Sequence, residues 1–183
     1  MGGIGRSENP SHSAGAGAPT AFIALGSNLG NSKSNVINAI DRLRQLSDLP
    51  LAISSLWLTS PVDCPSDSPP FVNAVIGMVV RSGEHPESLL LKLQEIEKEF
   101  GRRPKQVLNE ARPLDLDLIA FGTETRATRE LILPHPRAHL RRFVLQPLSE
   151  ILPDFIFPGQ SQSVSELLAC LPEDPTIRRL VPD

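Results

Sequence analysis

The sequence predicts an α+β fold of the ferredoxin-like kind: a βαββαβ core, a mostly antiparallel sheet with both core helices on one face, and further helices toward the C-terminus. Three observations carry this. Two segments, 31–46 and 86–100, place apolar residues at helical spacing. Four short apolar or β-branched runs flank them in the order strand, helix, strand, strand, helix, strand. No run approaches the roughly 20 apolar residues of a membrane span.

The elements follow in order. Residues 1–19 are Gly, Ser, Ala, Pro and Asn with almost nothing to bury, and the expectation is a disordered tail ahead of one domain over 20–183. Thr20–Gly26 reads as the first strand. Asn31 or Ser32 caps a helix carrying Val36, Ile40, Leu43 and Leu46 or Ser47, and Pro50 closes that region. Leu51–Leu58 reads as a strand. Four prolines punctuate a loop over Thr59–Pro70, and Phe71–Val80 is a β-branched strand. Pro86 opens a helix with Leu89, Leu90, Leu93, Ile96 and Phe100 on one face, ended by Gly101. A polar loop spans Arg102–Ala111. Leu114–Phe121 is the last core strand, with Leu131–Leu133 expected beside it as a hairpin. Short helices follow over Phe143–Ile151 and from Ser163, where Glu166 completes a capping box.

The 183 residues are 40% hydrophobic and 21% charged, a globular balance for one domain. The first residues lack the apolar core of a secretory signal, and Cys64 and Cys170 make neither a disulfide framework nor a cysteine-rich zinc site. A cytoplasmic location is the expectation. Net charge is −3, yet residues 101–142 hold eight Arg and one Lys against five acids, a net of +4. A local anion site fits this distribution better than a nucleic-acid surface; so do arginine forks, which bind phosphate oxygens in pairs, although arginines solvated at the surface would give the same count.

The densest chemistry is Asp115-Leu116-Asp117. A strand alternates its faces, so Leu114, Leu116 and Leu118 share the core face and the two aspartates the other. Their positions are roughly 6.6 Å apart along the strand, a spacing that can flank two Mg²⁺ ions about 3.5–4 Å apart. An amphipathic strand with acids in solvent has the same pattern. Arg112, with Arg102, Arg103 and Lys105 in the preceding loop, adds bases for phosphate beside acids for metal, the constellation of a nucleoside-triphosphate site. Gln94 and Glu97 lie three apart on the polar side of the second helix, either solvated or holding a nucleotide edge. His135 and His139 are separated by Pro136 and do not form a zinc pair. No P-loop is present, and Gly26–Gly30 is better read as a tight turn than as a phosphate cradle. Trp57 reads as core or site wall.

AFIALGSNLGN, SPPFVNAV, FGRRP, ARPLDLDLI and LPHPRAHLRRFVLQPL together resemble the 6-hydroxymethyl-7,8-dihydropterin pyrophosphokinase family of folate synthesis, over about Thr20 to Pro158. The resemblance implies a ferredoxin-like sandwich and transfer of the β,γ-pyrophosphoryl group of ATP to the pterin hydroxymethyl, with two Mg²⁺ ions and release of AMP. It implies that Asp115 and Asp117 hold metal, that Arg112 and Arg102 take part in catalysis, and that Gln94, Glu97, Arg102, Arg103, His135 and Arg141 meet the nucleotide. Thr59, Val62 and Asn73 would meet the pterin edge, and Phe71 and Phe143 would sandwich its ring. A flat polar heterocycle needs those types, aromatic faces on both sides and an amide at the rim. The chain departs from the family at Pro104, where relatives repeat an arginine one residue beyond Arg102, with Arg103 as candidate substitute, and at Asn109, Leu108 and Glu110 in the same loop. The expected partners are small molecules, acted on by a monomer with no downstream fused enzyme, no membrane and no nucleic acid. An RNA-recognition domain shares the fold, but it stacks bases on several strand aromatics, and aromatics here are 4% of the chain.

Overall fold

The computed structural model describes residues 20–62, 64, 67–103 and 110–181. The predicted tail and Pro104, Lys105, Leu108 and Asn109 lie outside the described residues.

The strands are β1 (Thr20–Ser27), β2 (Ala52–Ile53), β3 (Trp57–Thr59), β4 (Phe71–Val79), β5 (Asp115–Phe121), β6 (Arg126–Ala127), β7 (Ile132–Leu133) and β8 (Arg178–Arg179). The helices are α1 (Ser32–Arg44), α2 (Pro86–Glu99), α3 (Arg142–Ile151) and α4 (Val164–Cys170), with a 3₁₀ turn over Ala138–Leu140. The main sheet runs β5-β1-β4-β3-β8 with antiparallel neighbours, and β2 also pairs with β4. This is the order that the βαββαβ reading requires.

Alternation along each strand assigns the two faces. Ala21, Ile23 and Leu25 of β1, Val72, Ala74, Ile76 and Met78 of β4, and Leu116 and Leu118 of β5 are buried against Val36, Ala39, Ile40 and Leu43 of α1 and Leu89, Leu93 and Ile96 of α2. Each fully buried Val, Leu, Ile or Met among these contributes about 1.5–3 kcal/mol. Asn31 caps α1 by accepting from the Ser34 N–H at 3.1 Å, and Gly101, at φ +87°, turns the chain out of α2. The opposite face carries a smaller core, in which Phe22, Val75, Ile119 and Ala120 meet Val144, Leu145 and Leu148 of α3 and Val164 and Leu167 of α4.

Two expectations need correction. Leu51–Leu58 is not one strand: Ile53 pairs with Ile76 but Trp57 with Asn73, so one extra residue bulges between β2 and β3. Ser54 fills the gap, donating its N–H to the Val75 carbonyl at 3.0 Å and accepting the Val75 N–H on Oγ at 2.9 Å. A serine that can replace a missing ladder partner leaves no gap in the apolar pattern to announce the break. Leu131–Leu133 does not pair with β5; Ile132–Leu133 forms a separate two-stranded sheet with Arg126–Ala127. Beyond the expected elements, β8 adds to β3 at the far edge, where Leu180 N–H donates to the Leu56 carbonyl at 2.8 Å. Two arginines between Ile177 and Leu180 carry no strand signal of their own.

Candidate active site

On the α3 face the side chains of β1 shrink along the strand, from Phe22 through Ala24 to Gly26. Phe22 lies over Gly77, where an added Cβ would come within 3.1 Å of its ring. At the other end, Gly26 opens space beside Asn73 and Phe71. The result is a cleft open to solvent. Its floor is Ala24, Leu25 and Gly26; Asp115, Asp117 and Arg112 form one side and Thr59, Asn73 and Phe71 the other. Ser60, Val62 and Cys64 reach in from the loop after β3, and Arg141 and Phe143 from the start of α3.

Register places the acids: Asp115 lies opposite Gly26 and Asp117 opposite Ala24 on β1, both facing the cleft, while Leu116 between them is buried in the other core. Asp115 bridges two arginines, Arg102 Nη1 at 2.7 Å and Arg112 Nη1 at 3.1 Å. Burial and then the nearby Asp115 charge push the Asp117 carboxyl up to about 6 from its ordinary 3.8, against the pull of Arg141, Arg112 and Arg102. The two acids are hard oxygen donors pointing into one cleft. Among the described residues no cluster of three or more His, Cys, Asp and Glu side chains is gathered as for zinc. Two carboxylates leaving positions for water and phosphate suit Mg²⁺.

Asn73 is buried and donates Nδ2 to Thr59 Oγ1 at 2.7 Å, which fixes both polar groups at the cleft wall. Phe143 carries the Arg141 guanidinium 5.3 Å from its ring centre.

The other expected site residues lie around this cleft rather than in it. Glu97 is 6% exposed, so its reading as a solvated residue of the helix's polar side fails. Its carboxylate accepts the Leu116 N–H at 2.7 Å and pairs with Arg102, so a helix residue bonds the strand between the two acids. Gln94 and Arg103 are exposed. His135 is half-buried, donates its backbone N–H to the Ile119 carbonyl at 2.8 Å, and accepts the Arg137 N–H on Nδ1 at 3.2 Å. Burial, then Arg141 and Arg137, push its pKa down to about 4, so it is neutral at pH 7. Trp57 is half-buried on β3, with its Nε1 buried and without a partner among the described residues.

Sequence reasoning passed over Asn28. It is 2% exposed and ties three segments together: its Oδ1 accepts the Arg112 N–H at 2.8 Å, its N–H donates to the Arg112 carbonyl at 3.2 Å, and its Nδ2 donates to the Pro69 carbonyl at 3.2 Å. The tight-turn reading of Gly26–Gly30 holds only for its second half: Gly26 and Ser27 are paired residues of β1, and the chain bends at Leu29 and Gly30, with Gly30 at φ +71°. The amide next to those glycines was the available signal, since Asn is the residue that serves backbone on both sides.

A family model, 7,8-dihydro-6-hydroxymethylpterin-pyrophosphokinase (HPPK), matches residues 22–153. The 2-amino-4-hydroxy-6-hydroxymethyldihydropteridine pyrophosphokinase of Haemophilus influenzae is 39% identical over 149 residues, covering 81% of this chain and 91% of that protein. The enzyme of the same name from Pseudomonas aeruginosa is 36% identical over 152 residues, covering 82% and 91%. The folic acid synthesis protein fol1 of Pneumocystis carinii is 39% identical over 144 residues, but this chain spans only 19% of it. Among solved structures, an HPPK-DHPS in complex with substrates shares the fold at a TM-score of 0.66 and 10% identity, over 89% of this chain and 46% of that one.

Fold and relatives together define a transferase that acts on small molecules. The chain belongs to the 7,8-dihydro-6-hydroxymethylpterin-pyrophosphokinase family, and its reaction is transfer of pyrophosphate from ATP to that pterin in folate synthesis.

Proposed function

We propose that the cleft between β1, β5, the loop after β3 and the start of α3 is where ATP and 6-hydroxymethyl-7,8-dihydropterin meet, in one pyrophosphokinase domain running from residue 20 onward. The observation that carries this is the convergence of two acids, two arginines, a buried Asn–Thr pair and two phenylalanines on one cleft.

In this reading the pterin ring lies between Phe71 and Phe143, with its polar edge on Asn73, Thr59 and the backbone near Val62. Arg112 serves the phosphates: its Nε is buried without a partner among the described residues, a donor that a phosphate oxygen would satisfy. Arg141 stands at the same cleft, and Arg102 reaches Asp115 from the α2 side, with Arg103, Gln94, Glu97 and His135 making up the nucleotide side. Asp115 and Asp117 would hold Mg²⁺. When bound, two such ions neutralise the triphosphate and lower the pKa of the attacking hydroxyl. The protein's own part is positioning and electrostatics: it places the pterin hydroxymethyl in line with the β-phosphorus and holds cations where charge develops on the departing AMP. A neutral His135 can offer one N–H donor without adding charge.

The two free cysteines support a cytoplasmic location, and the enzyme is proposed to act as a monomer. Among the described residues no helix is long and apolar enough to cross a membrane.

The test is a titration with a non-hydrolysable ATP analogue, with and without Mg²⁺, followed by chromatography of the quenched reaction. Mg²⁺-dependent binding and AMP as the nucleotide product are expected. ADP as the main product would mean γ-phosphoryl transfer and would refute the in-line attack on the β-phosphorus.

A further inference from the structure

The first turn of α3 presents Arg141 and Phe143 to the cleft, yet it is poorly supported by its own helix. Arg141, at the N-cap, makes no side-chain capping bond. Pro147 lies four residues after Phe143 and has no N–H to give its carbonyl. The residue between the two cleft residues points elsewhere. Arg142 donates Nη2 to the Leu171 carbonyl at 2.7 Å and to the Leu168 carbonyl at 3.2 Å, Nε to the Pro172 carbonyl at 2.8 Å, and Nη1 to Gln146 Oε1 at 3.4 Å. Leu168 lies in the last turn of α4, and Leu171 and Pro172 follow it, where the helix dipole is negative; the Leu168 carbonyl also accepts the Leu171 N–H at 3.2 Å. A planar guanidinium can serve several such carbonyls at once; a lysine cannot. All three carbonyl partners lie beyond residue 153, where the family match ends.

We propose that Arg142 is a positioning residue for the reaction: it anchors the turn that carries Arg141 and Phe143 onto the C-terminal segment, so that residues outside the family-matched region set the geometry of the cleft. The inference rests on the cleft reading above. Arg142 touches neither substrate; it acts through its two neighbours.

The full chain with Arg142→Ala and Arg142→Lys tests this by amide hydrogen exchange and pterin titration. The Val144 and Leu145 N–H groups, which bond the Arg141 carbonyl at 3.0 and 2.9 Å, report on the turn. In Arg142→Ala they should exchange at least about tenfold faster while β1 and β4 amides hold their rates, as expected of a local opening. Pterin affinity should fall about five- to tenfold, and on a Phe143→Ala background the same substitution should add little, since residues acting through one contact are not additive. In turnover, KM for the pterin should rise by more than kcat falls, and Arg142→Lys should be intermediate in all readouts. Unchanged exchange overturns the anchor. Faster exchange with unchanged pterin affinity and KM overturns the positioning role, leaving a purely structural one. Additive losses overturn action through Phe143. If Phe143→Ala alone leaves pterin affinity intact, the cleft reading itself has failed and the positioning role falls with it. Should every amide accelerate together in Arg142→Ala, the Arg142→Lys comparison decides by the same criteria.

Discussion

The two faces of the sheet are built from alternate residues of the same strands, yet one is closed and the other open. Beneath the sheet, aliphatic side chains of β1, β4 and β5 meet α1 and α2 in one continuous core. Above it, the apolar core stops halfway. Phe22, Val75, Ile119 and Ala120 pack under α3 and α4, and two to four residues further along the same strands stand Gly26, Asn73, Asp117 and Asp115. The difference teaches that the site is made by subtraction as much as by placement. Large side chains on the closed face supply the stability, and the small ones of the open face leave the volume.

The sharpest way to break this comparison is to substitute three consecutive residues. Asp115→Asn and Asp117→Asn should each lower turnover by at least about a hundredfold, as loss of one preorganised charge does, while leaving a cooperative thermal transition. Leu116→Asn should cost about 3 kcal/mol or more by placing an amide in the closed core. Steady-state kinetics and melting curves on the three variants check this. An active Asp117→Asn would remove the metal reading but not the fold.

Acidity sharpens it next. Folding raises the Asp117 pKa from 3.8 to about 6, so the fold prefers the protonated form. Its stabilising contribution is full below pH 3.8 and is lost as pH rises through about 6. Other carboxylates, such as Glu84 and Glu166, are shifted down and give the opposite slope, so the measurement is a difference. Metal-free Asp117→Asn should gain stability over the wild type between pH 4 and 7, by at most about 3 kcal/mol at 1.36 kcal/mol per pKa unit. Denaturant unfolding in a chelator at several pH values measures it, and a pH-independent difference would show that Asp117 is not strained by burial.

Phe143→Ala should weaken pterin binding by about 1–3 kcal/mol, the worth of one aromatic stack, and leave the ATP analogue's affinity nearly unchanged. Equal losses for both ligands would remove the sandwich.

The smallest effects come from adding one methyl at either end of the open face. Gly26→Ala puts a Cβ 3.2 Å from Asn73 Oδ1 and 3.7 Å from the Phe71 ring. A displacement of a few tenths of an ångström in a positioned group should raise the pterin KM about threefold, with melting nearly unchanged. Gly77→Ala meets the Phe22 ring at 3.1 Å and should instead cost about 1–3 kcal/mol of stability, with KM unchanged.

The closed face was legible in the sequence because burial imposes a period: Leu114, Leu116 and Leu118 against Asp115 and Asp117, and the four apolar positions of α1, admit one assignment. The capping signals at Asn31 and Ser163 were equally local and held. Glu97 was not legible, because its burial depends on where α2 passes β5, and a helix pattern cannot say which of its polar residues finds a backbone partner. The bulge at Ser54 escaped for the reason that a serine can imitate a ladder. The cleft was legible by type and not by geometry: the resemblance brought Phe71, Asn73, Arg112, Arg141 and Phe143 together, and the structure lines one cleft with all five. It placed Gln94 and Arg103 on the exposed surface, because motif membership carries no information about reach.

The outer side of β5 bears on a different property, the behaviour of the protein at high concentration. A bare sheet edge is a template for a neighbouring chain. Here the Leu116 N–H is taken by Glu97 and the Ile119 carbonyl by the His135 N–H, so the groups that would nucleate intermolecular strand addition are spent internally. The opposite edge ends in β8, only two residues long and both arginine, too short and too charged to template another molecule. Blunted in this way, the two ends of the β5-β1-β4-β3-β8 path disfavour edge-to-edge addition of another molecule.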